Sequence, residues 1–379
     1  MNSPNFKHKE ENIAKFIHAS DIHLGSQQFH NTDRSNDFID AFKEILFLAK
    51  YYEVDFIILG GDIFNSLDLL PAKFYRVVKL LKKFHTSTIN TIPIISIEGN
   101  HDIRKFSRAT RVKKGQSWLK VLNELELLIL LDAELKNGNT PVFKEFDHKK
   151  RKGGKITLKN ATIYGNHYLG QTPIRDLRKI YDAIEDSDEN FKILLQHFGI
   201  AGQMENVPGV PYRDLSFLKD KINYLALGHF HKQFIINNWI FNPGSSEAAC
   251  SSDHFYERGI FLIQVLKKMG YNIKAKSIKL KNREFIWKTI RLNTHFNTYE
   301  SLSKYIINYL STLKVPHNFK RPPILYLRLT GTKPLNLSRK HMTKLSHLLI
   351  HELGVVDAKI YQKYDENIKT IDSYLCIGN

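Results

Sequence analysis

The feature that most constrains the fold is an alternation of apolar, β-branched runs with helical patterns over the first hundred residues. The runs AKFIHAS (14–20), VDFIILGGD (54–62) and TIPIISIEGN (91–100) are predicted strands. Between them, apolar residues recur at helical spacing in 33–52, with Asp33 as the expected cap, and in 71–84. Such repetition predicts a parallel sheet whose strands present their carboxyl ends at one edge.

The length and the order of predicted elements indicate two domains. The first, residues 1–270, carries this alternation and a series of later short strands, and a lysine-rich hairpin leads out of it. The second, residues 285–379, is a smaller α+β domain with the pattern strand–helix–strand–helix–strand, its second helix bounded by Ser338 and Gly354. Hydrophobic residues make up 42% of the 379, which is ample for buried cores.

Neither a membrane segment nor a disulfide framework is expected. The longest apolar run, LELLILL, contains Glu126 and is too short to cross a bilayer, and the N-terminal residues lack the apolar centre of a signal peptide. The two cysteines, Cys250 and Cys376, stand far apart and form no CxxC pair. The sequence therefore predicts a soluble, cytoplasmic protein.

Charge is distributed unevenly along the chain. The formal net charge is +18, and residues 261–379 hold 21 Lys and Arg against 7 Asp and Glu. A basic second half beside a nearly neutral first half indicates a polyanion-binding surface on one domain. The alternative is a lysine-rich surface that is only solvated.

Polar side chains follow the predicted strands at their carboxyl ends. They stand in DIHLG, GGDIFN, GNHD, QHFG and GHFH, and comprise Asp21, His23, Asp62, Asn100, His101, His197, His229 and His231. His229 and His231 are two residues apart, so on a strand both rings would point into the same space. Each residue alone has an ordinary explanation, such as a helix cap or a turn. Carboxyl ends of parallel strands converge on one crevice, and Asp, Asn and His gathered there suit manganese, iron or zinc.

These five motifs, in this order, resemble the signatures of the calcineurin-like metallophosphoesterase superfamily. The stretches DRSNDF after DIHLG and PGSSE after GHFH make the chain similar to one branch, the SbcD-type (meiotic-recombination-eleven) nucleases of DNA double-strand-break repair. The resemblance covers residues 14–266, and the basic domain at 285–365 is similar in position and pattern to the DNA-capping domain of that branch. It implies an α/β fold, a two-sheet α/β/β/α sandwich with a second, smaller α+β capping domain.

The resemblance also implies two manganese ions per subunit, with iron or zinc as alternatives. One ion would be held by Asp21, His23, Asp62 and His231, and the other by Asp62, Asn100, His197 and His229, with Asp62 as the bridge. His101 would stabilise the transition state or protonate the leaving 3′ oxygen. Many members of the branch have a second histidine where this chain has Asn65. We expect Asn65 to orient the phosphate or the DNA end, and the balance of exonuclease and endonuclease activity stays open.

DNA ends are the expected partner. The stretch 104–114 has no acidic residue, and its candidate DNA-binding side chains are Arg104, Lys105, Arg108, Arg111, Lys113 and Lys114; a solvated loop is the alternative. The segments 71–84 and 118–128 carry surplus apolar surface, which in the resembled family pairs two subunits, so a homodimer is expected. The family also works with a coiled-coil ABC-type ATPase, but the residues after the second domain, ending in TIDSYLCIGN, show no evident docking helix.

Three functions are compatible with these features. The first is a manganese-dependent DNA nuclease that processes double-strand-break ends, with 3′–5′ exonuclease and single-strand endonuclease activities. The second is a metallophosphoesterase for a small phosphodiester, which has no use for a basic domain. The third is a non-catalytic DNA-end scaffold, which has little reason to retain a complete set of ligands.

Overall fold

The computed structural model describes residues 11–28, 31–88, 91–103, 116–136, 140–186, 189–312, 321–334 and 337–365. The chain divides into two compact units, Met1–Asn282 and Arg283–Asn379, called here the first and second units. No helix among the described residues is both long enough and apolar enough to cross a bilayer.

The described part of the first unit is built from strands and helices in alternation. Its strands are β1 (Glu11–Ala19), β2 (Phe56–Leu59), β3 (Ile94–Ser96), β4 (Ile129–Leu130), β5 (Glu134–Lys136), β6 (Thr140–Val142), β7 (Lys155–Leu158), β8 (Ala161–Gly165), β9 (Phe191–His197), β10 (Tyr224–Gly228), β11 (Phe234–Ile236), β12 (Ile240–Asn242), β13 (Gly259–Lys267) and β14 (Tyr271–Lys279). Its helices are α1 (Thr32–Tyr51), α2 (Pro71–Thr86), α3 (Trp118–Glu124) and α4 (Ile174–Ala183).

Two six-stranded sheets form the centre of this unit. The first has the order β14-β13-β1-β2-β3-β4, with β1 to β4 parallel and the β13–β14 hairpin antiparallel at one side. The second has the order β11-β12-β10-β9-β8-β7, with β8, β9, β10 and β12 parallel and an antiparallel strand at each edge. The parallel pairing predicted for the first three strands is therefore correct.

The two sheets pack face to face, and helices cover their outer faces. Phe16 and Phe56 of the first sheet stack at 4.9 Å and share a buried cluster with Ile193 and Phe241 of the second. A separate cluster joins α1, α2 and α3 to the outer face of the first sheet, and another joins α4 to the second. Both sheets are thus buried on two sides, which explains their nearly continuous apolar strands. This is the expected α/β/β/α sandwich.

One helix boundary differs from the sequence expectation. The cap of α1 is Asn31, whose side-chain oxygen accepts the backbone N–H of Asp33 at 2.8 Å. The prediction that Asp33 is the cap is wrong by two residues, because both residue types can accept these N–H groups and the start of the helix selects between them. Asp33 instead lies in the first turn, where its charge favours the helix N-terminus.

The described part of the second unit is a three-stranded parallel sheet with two helices. Its elements are β15 (Phe285–Leu292), α5 (Tyr299–Thr312), β16 (Ile324–Gly331), α6 (Arg339–Leu353) and β17 (Asp357–Tyr364), and the strand order is β15-β16-β17. The helices share a core with the leucines of β16. Helix α6 begins after Ser338 and ends at Gly354, whose φ of 62° is the left-handed conformation that glycine adopts most readily. The order of these elements and the two ends of α6 match the predicted ones.

Candidate metal centre

The predicted ligands lie where the parallel strands of both sheets end. A first group joins Asp21 and His23, which follow β1, to His231, which follows β10. The Nε2 atoms of His23 and His231 are 3.1 Å apart, and Nε2 of His231 is 3.9 Å from Oδ1 of Asp21. All three residues are buried or nearly so.

A second group lies around Asp62, which follows β2. Oδ2 of Asp62 is 3.3 Å from Nε2 of His197, at the end of β9. The side-chain oxygen of Asn100 lies 3.1 Å from that same nitrogen and 3.0 Å from Nδ1 of His229. Donor atoms of Asp62 also lie within 4.8 Å of those of His23 and His101. Asp62 therefore lies close to histidine nitrogens of both groups.

The backbone at these residues is in a conformation that side chains other than glycine rarely adopt. The φ angles are 49° at Asp21, 51° at His23, 52° at Asp62 and 91° at His229. Left-handed backbone at non-glycine residues costs about 1–3 kcal/mol each and collects at functional sites. Four such residues in one crevice indicate that the fold holds these side chains at an energetic cost.

Close packing accounts for the glycine in GNHD. A Cβ on Gly99 would lie 2.2 Å from Oδ1 of Asp62, which is far inside van der Waals contact. Gly99 also donates its backbone N–H to Asp102, whose carboxylate accepts the N–H groups of Ile63 and Phe64 as well. The loops after β2 and β3 are therefore tied together through one buried carboxylate.

Hydrogen bonds set the protonated nitrogen of three histidines. Nδ1 of His197 lies 2.6 Å from the carbonyl oxygen of Gly60, and Nδ1 of His101 lies 2.8 Å from the carbonyl oxygen of Asn65. Carbonyl oxygens only accept, so each Nδ1 donates and each Nε2 is left facing the centre. His231 follows the same rule, because its Nδ1 lies 2.7 Å from Oδ2 of Asp253.

One buried carboxylate oxygen in the crevice is left without a hydrogen-bond donor among the described residues. Oδ2 of Asp21 accepts from Ser20 at 2.6 Å and from the backbone of His229 at 3.0 Å, whereas its buried Oδ1 has no hydrogen-bond donor among the described residues. Burial raises the pKa of Asp21 and lowers the pKa of His229 to about 3. Burial opposes the charged form of His197 too, but Asp62 beside it raises the pKa of His197 to about 9. A carboxylate oxygen without a donor and an imidazole that burial keeps neutral, such as His229, fit divalent metal ions, whereas His197 has to release its proton before its Nε2 can bind one.

Three residues of the crevice were not among the predicted site residues. Asp253 supports His231, Ser20 supports Asp21, and the ring of Tyr168 lies 5.8 Å from that of His197 and 5.9 Å from that of His229. Ser20 adjoins a motif and could have been inferred from it. Asp253 and Tyr168 lie outside every motif, so only the fold brings them here.

The structure describes the predicted site residue Asn65 but not the candidate DNA-binding residues. Asn65 is partly exposed at the rim of the crevice, and its contact with His101 runs through the backbone rather than the side chain. The candidate DNA-binding residues Arg104, Lys105, Arg108, Arg111, Lys113 and Lys114 lie outside the described residues.

The sequence profile of the calcineurin-like phosphoesterase family matches residues 14–233. This match spans more than half of the chain and contains all of the predicted ligands. The chain belongs to the calcineurin-like phosphoesterase family and is a metal-dependent phosphoesterase. The candidate clusters of His and Asp described above agree with the dinuclear metal site of that family.

Similarity to characterised relatives extends over both units. The chain is 26% identical over 368 residues to the DNA double-strand break repair protein Mre11 of Sulfolobus acidocaldarius, covering 94% of this chain and 85% of that protein. It is 24% identical to the protein of the same name from Saccharolobus solfataricus, covering 95% and 85%. The Mre11 protein of Methanosarcina acetivorans is 24% identical over 94% of this chain, which spans 52% of that longer relative. The resemblance to SbcD-type nucleases is thereby confirmed.

A dimetal phosphatase from Danio rerio aligns with 70% of this chain and 99% of its own, with a TM-score of 0.42 and 10% identity. This likeness is too distant to bear on function.

Proposed function

We propose that this protein is a two-metal DNA nuclease that processes double-strand-break ends. The observation that carries the proposal is the position of Asp62 between two histidine groups, one with His23 and His101 and one with His197 and His229. Similarity over both units to proteins named for DNA double-strand break repair supports DNA as the substrate. The 3′–5′ exonuclease and single-strand endonuclease activities belong to the same proposal.

Seven side chains would hold the two ions, with manganese as the proposed metal. One ion would take Asp21, His23, Asp62 and His231, and the other Asp62, Asn100, His197 and His229. When bound, such a pair of ions activates a water molecule and neutralises charge on the phosphodiester. Gly60 and Asp253 keep the ligand nitrogens of His197 and His231 turned toward the centre by accepting from their Nδ1 atoms.

His101 is proposed to handle the proton of the leaving oxygen. Its Nδ1 donates to the carbonyl oxygen of Asn65, so Nε2 is the atom that can hold or give a proton. That nitrogen lies 4.0 Å from Oδ2 of Asp62, and we assign it to the leaving oxygen rather than to a metal ion. Its ring is also packed edge-to-face against His23 at 4.9 Å, which limits its rotation.

The proposal also includes the substrate, the oligomeric state, the partner and the location of the protein. We expect DNA ends as the substrate, a homodimer as the working form, a coiled-coil ABC-type ATPase as partner, and the cytoplasm as the location. Exposed Leu70 and Tyr75 at α2 and exposed Val121 and Leu125 at α3 support the homodimer, since exposed large apolar side chains favour association.

Digestion of DNA tests the proposed function. End-labelled double-stranded DNA and circular single-stranded DNA would be incubated with manganese, magnesium or a chelator, using the wild type and Asp62→Asn. Asp55→Asn is a matched control. Asp55 precedes β2, the strand that Asp62 follows, and its carboxylate accepts the backbone N–H of Lys15 away from the centre. We expect manganese-dependent cleavage of both DNA substrates that Asp62→Asn abolishes and Asp55→Asn retains.

Two other results would lead to different functions. Hydrolysis of a small bis-aryl phosphodiester without cleavage of either DNA would favour a small-molecule phosphodiesterase. Binding of DNA ends without any hydrolysis, in protein shown to contain metal, would favour the scaffold.

A further inference from the structure

Aromatic and basic side chains cluster on one face of the three-stranded sheet of the second unit. Helices α5 and α6 pack with the leucines of β16 on the other face. Successive strand residues point to opposite faces, so Tyr326 and Arg328 of β16 lie on the face away from the helices. The register places Trp287 of β15 beside Tyr326, and Tyr361 of β17 beside Arg328. These four residues, Trp287, Tyr326, Arg328 and Tyr361, are called here the aromatic face.

The rings of the aromatic face are in mutual contact. The ring of Trp287 lies 5.2 Å from that of Tyr326 and 5.6 Å from that of Tyr361, with the latter pair 22° from parallel. The guanidinium carbon of Arg328 is 5.1 Å from the ring of Trp287. Tyr326 is fully buried, whereas Tyr361 is 38% exposed and Arg328 is exposed. Tyr326 thus lies beneath the other side chains of the aromatic face. Parts of Trp287, Arg328 and Tyr361 are exposed to solvent.

Positive charge surrounds these rings. Arg291 on β15 and Lys363 on β17 are exposed at the ends of their strands, on the same face as Arg328 by strand alternation. Asp365 pairs with Arg291 at 2.7 Å and offsets part of this charge. Residues 283–379 hold 15 Lys and Arg against 7 Asp and Glu. The surroundings therefore favour a polyanion.

The combination of rings and cations selects the kind of ligand. Trp, Tyr and Arg are also common at protein interfaces, but such interfaces are depleted of Lys, and the exposed Lys363 beside this face therefore favours a nucleic acid over a protein partner. A DNA duplex hides the flat surfaces of its bases inside the stack, whereas an unpaired strand exposes them. Stacking of bases on aromatic side chains beside basic groups is the general mode of single-strand binding.

We propose that the aromatic face binds single-stranded DNA, with bases stacked on Tyr361 and Trp287 and phosphates near Arg328 and Lys363. This goes beyond the proposed function, which concerns hydrolysis at the metal centre of the first unit. The face would hold a strand that has separated from its complement.

Fluorescence anisotropy of the full chain with labelled DNA tests this binding. The probes are an oligo(dT) of about 15 nucleotides and a blunt duplex of similar length, both with chelator to prevent cleavage. One stacked base contributes about 1–3 kcal/mol, so Tyr361→Ala is expected to weaken oligo(dT) binding by roughly 5- to 100-fold. Affinity for the blunt duplex should change much less, and the loss should persist at raised salt, because stacking is not screened as phosphate contacts are.

Matched variants separate stacking from loss of fold. Tyr361→Phe keeps the ring and should keep oligo(dT) affinity. Tyr309→Ala on α5 removes a tyrosine of nearly equal exposure, 40%, from an element on the opposite side of the sheet, and should have no effect. Trp287→Phe retains a packed ring over Tyr326 and is expected to weaken binding less than Tyr361→Ala. Photo-crosslinking of a 5-bromouracil oligonucleotide should label peptides of β15 or β17.

Unchanged oligo(dT) affinity in folded Tyr361→Ala, with no crosslink to β15 or β17, would overturn the proposal. A change of oligomeric mass in Tyr361→Ala with unchanged DNA affinity would instead identify a protein interface and would also overturn it. DNA cleavage with no effect of these variants on binding would reject the aromatic face alone. Single-strand binding through this face without DNA cleavage would reject the nuclease function alone.

Discussion

Nδ1 of His231 lies 2.7 Å from Oδ2 of Asp253, a carboxylate 22 residues further along the chain. The same oxygen accepts the backbone N–H groups of Ala249 at 2.9 Å and Cys250 at 3.0 Å. Asp253 therefore joins the loop after β12 to a proposed metal ligand. Its pKa is held below the usual range, because the nearby His231 outweighs the effect of burial. It remains ionised and accepts the proton of Nδ1.

Loss of this carboxylate should weaken metal binding. Partners that orient a ligand histidine are worth about 10- to 100-fold in metal affinity, so we expect Asp253→Asn to raise the dissociation constant for manganese by that factor. Isothermal titration calorimetry measures it. Asp132→Asn is the matched control, since Asp132 accepts from Nδ1 of His167 at 2.9 Å outside the centre. Equal affinities in Asp253→Asn and the wild type would show that Asp253 serves only the loop.

His101→Gln should reduce turnover without removing metal. Positioned proton donors contribute about 10²- to 10⁴-fold to rate, and His101 lies beside the ligands rather than among the seven that would hold the ions. We expect manganese binding to stay within about twofold of the wild type. We expect kcat to fall by about 10²- to 10⁴-fold. A variant that lost manganese in the calorimeter would make His101 a ligand and refute the assigned role.

Asn65 should affect DNA cleavage through its side chain alone. The backbone carbonyl that holds His101 remains in Asn65→Ala, so the geometry of His101 is retained. A hydrogen bond to a charged phosphate contributes about 1.5–3 kcal/mol, so we expect a roughly 10- to 100-fold loss of exonuclease or endonuclease rate. Rates on end-labelled duplex and circular single-stranded DNA report the two activities separately. If both stay at the wild-type value, Asn65 has no role in orienting the phosphate.

A charge on α2 should separate the proposed homodimer. Tyr75 is 62% exposed on this helix, and Tyr75→Glu would replace an apolar ring with a charged, hydrated carboxylate in the proposed interface. In light scattering at micromolar concentration, we expect the wild type to have the mass of two chains and Tyr75→Glu to have the mass of one. Met269→Glu, at a residue 96% exposed between β13 and β14, should leave the mass unchanged. A wild-type mass of one chain would rule out the proposed homodimer.

The buried His18 should make the fold sensitive to acid. Its Nε2 donates to the carbonyl of Leu227 at 3.1 Å and its Nδ1 accepts from the hydroxyl of Tyr224 at 2.9 Å, so the neutral ring is fully satisfied. Burial lowers the pKa of His18 to about 3, whereas the unfolded chain titrates near 6.5. Between these values the unfolded state binds more protons, so stability falls as the pH drops, by about 1.4 kcal/mol per pH unit for this group.

His18→Gln removes this titration and keeps an amide that can make both hydrogen bonds. We expect the free energy of unfolding to fall less between pH 6.5 and pH 4 than in the wild type, as measured by denaturant titration at each pH. Tyr224→Phe keeps the buried imidazole and should retain the wild-type slope. An identical slope in His18→Gln would show that other groups dominate the acid sensitivity.

Local sequence patterns predicted the elements well, because their signals lie within a few residues. The strands that precede Asp21, Asp62 and Asn100 follow from apolar runs, and the ends of α6 follow from Ser338 and Gly354. The start of α1 was missed by two residues, since Asn31 and Asp33 are both residue types that can accept the helix N–H groups. The gathering of the candidate ligands in one crevice was also predictable, because parallel strands carry their carboxyl ends to the same side, but only the structure shows that these strands belong to two sheets.

Contacts between distant segments required the tertiary structure. No spacing rule connects His231 to Asp253, or brings Tyr168 beside His197 and His229. The aromatic face likewise takes its residues from three strands separated by helices, and only the strand register places them together. The sequence alone thus specifies the α/β elements and the order of the metal-ligand motifs, which depend on local chemistry. Side-chain orientation, the protonated nitrogen of each histidine and the aromatic face depend on packing between remote segments, and only the folded chain defines them.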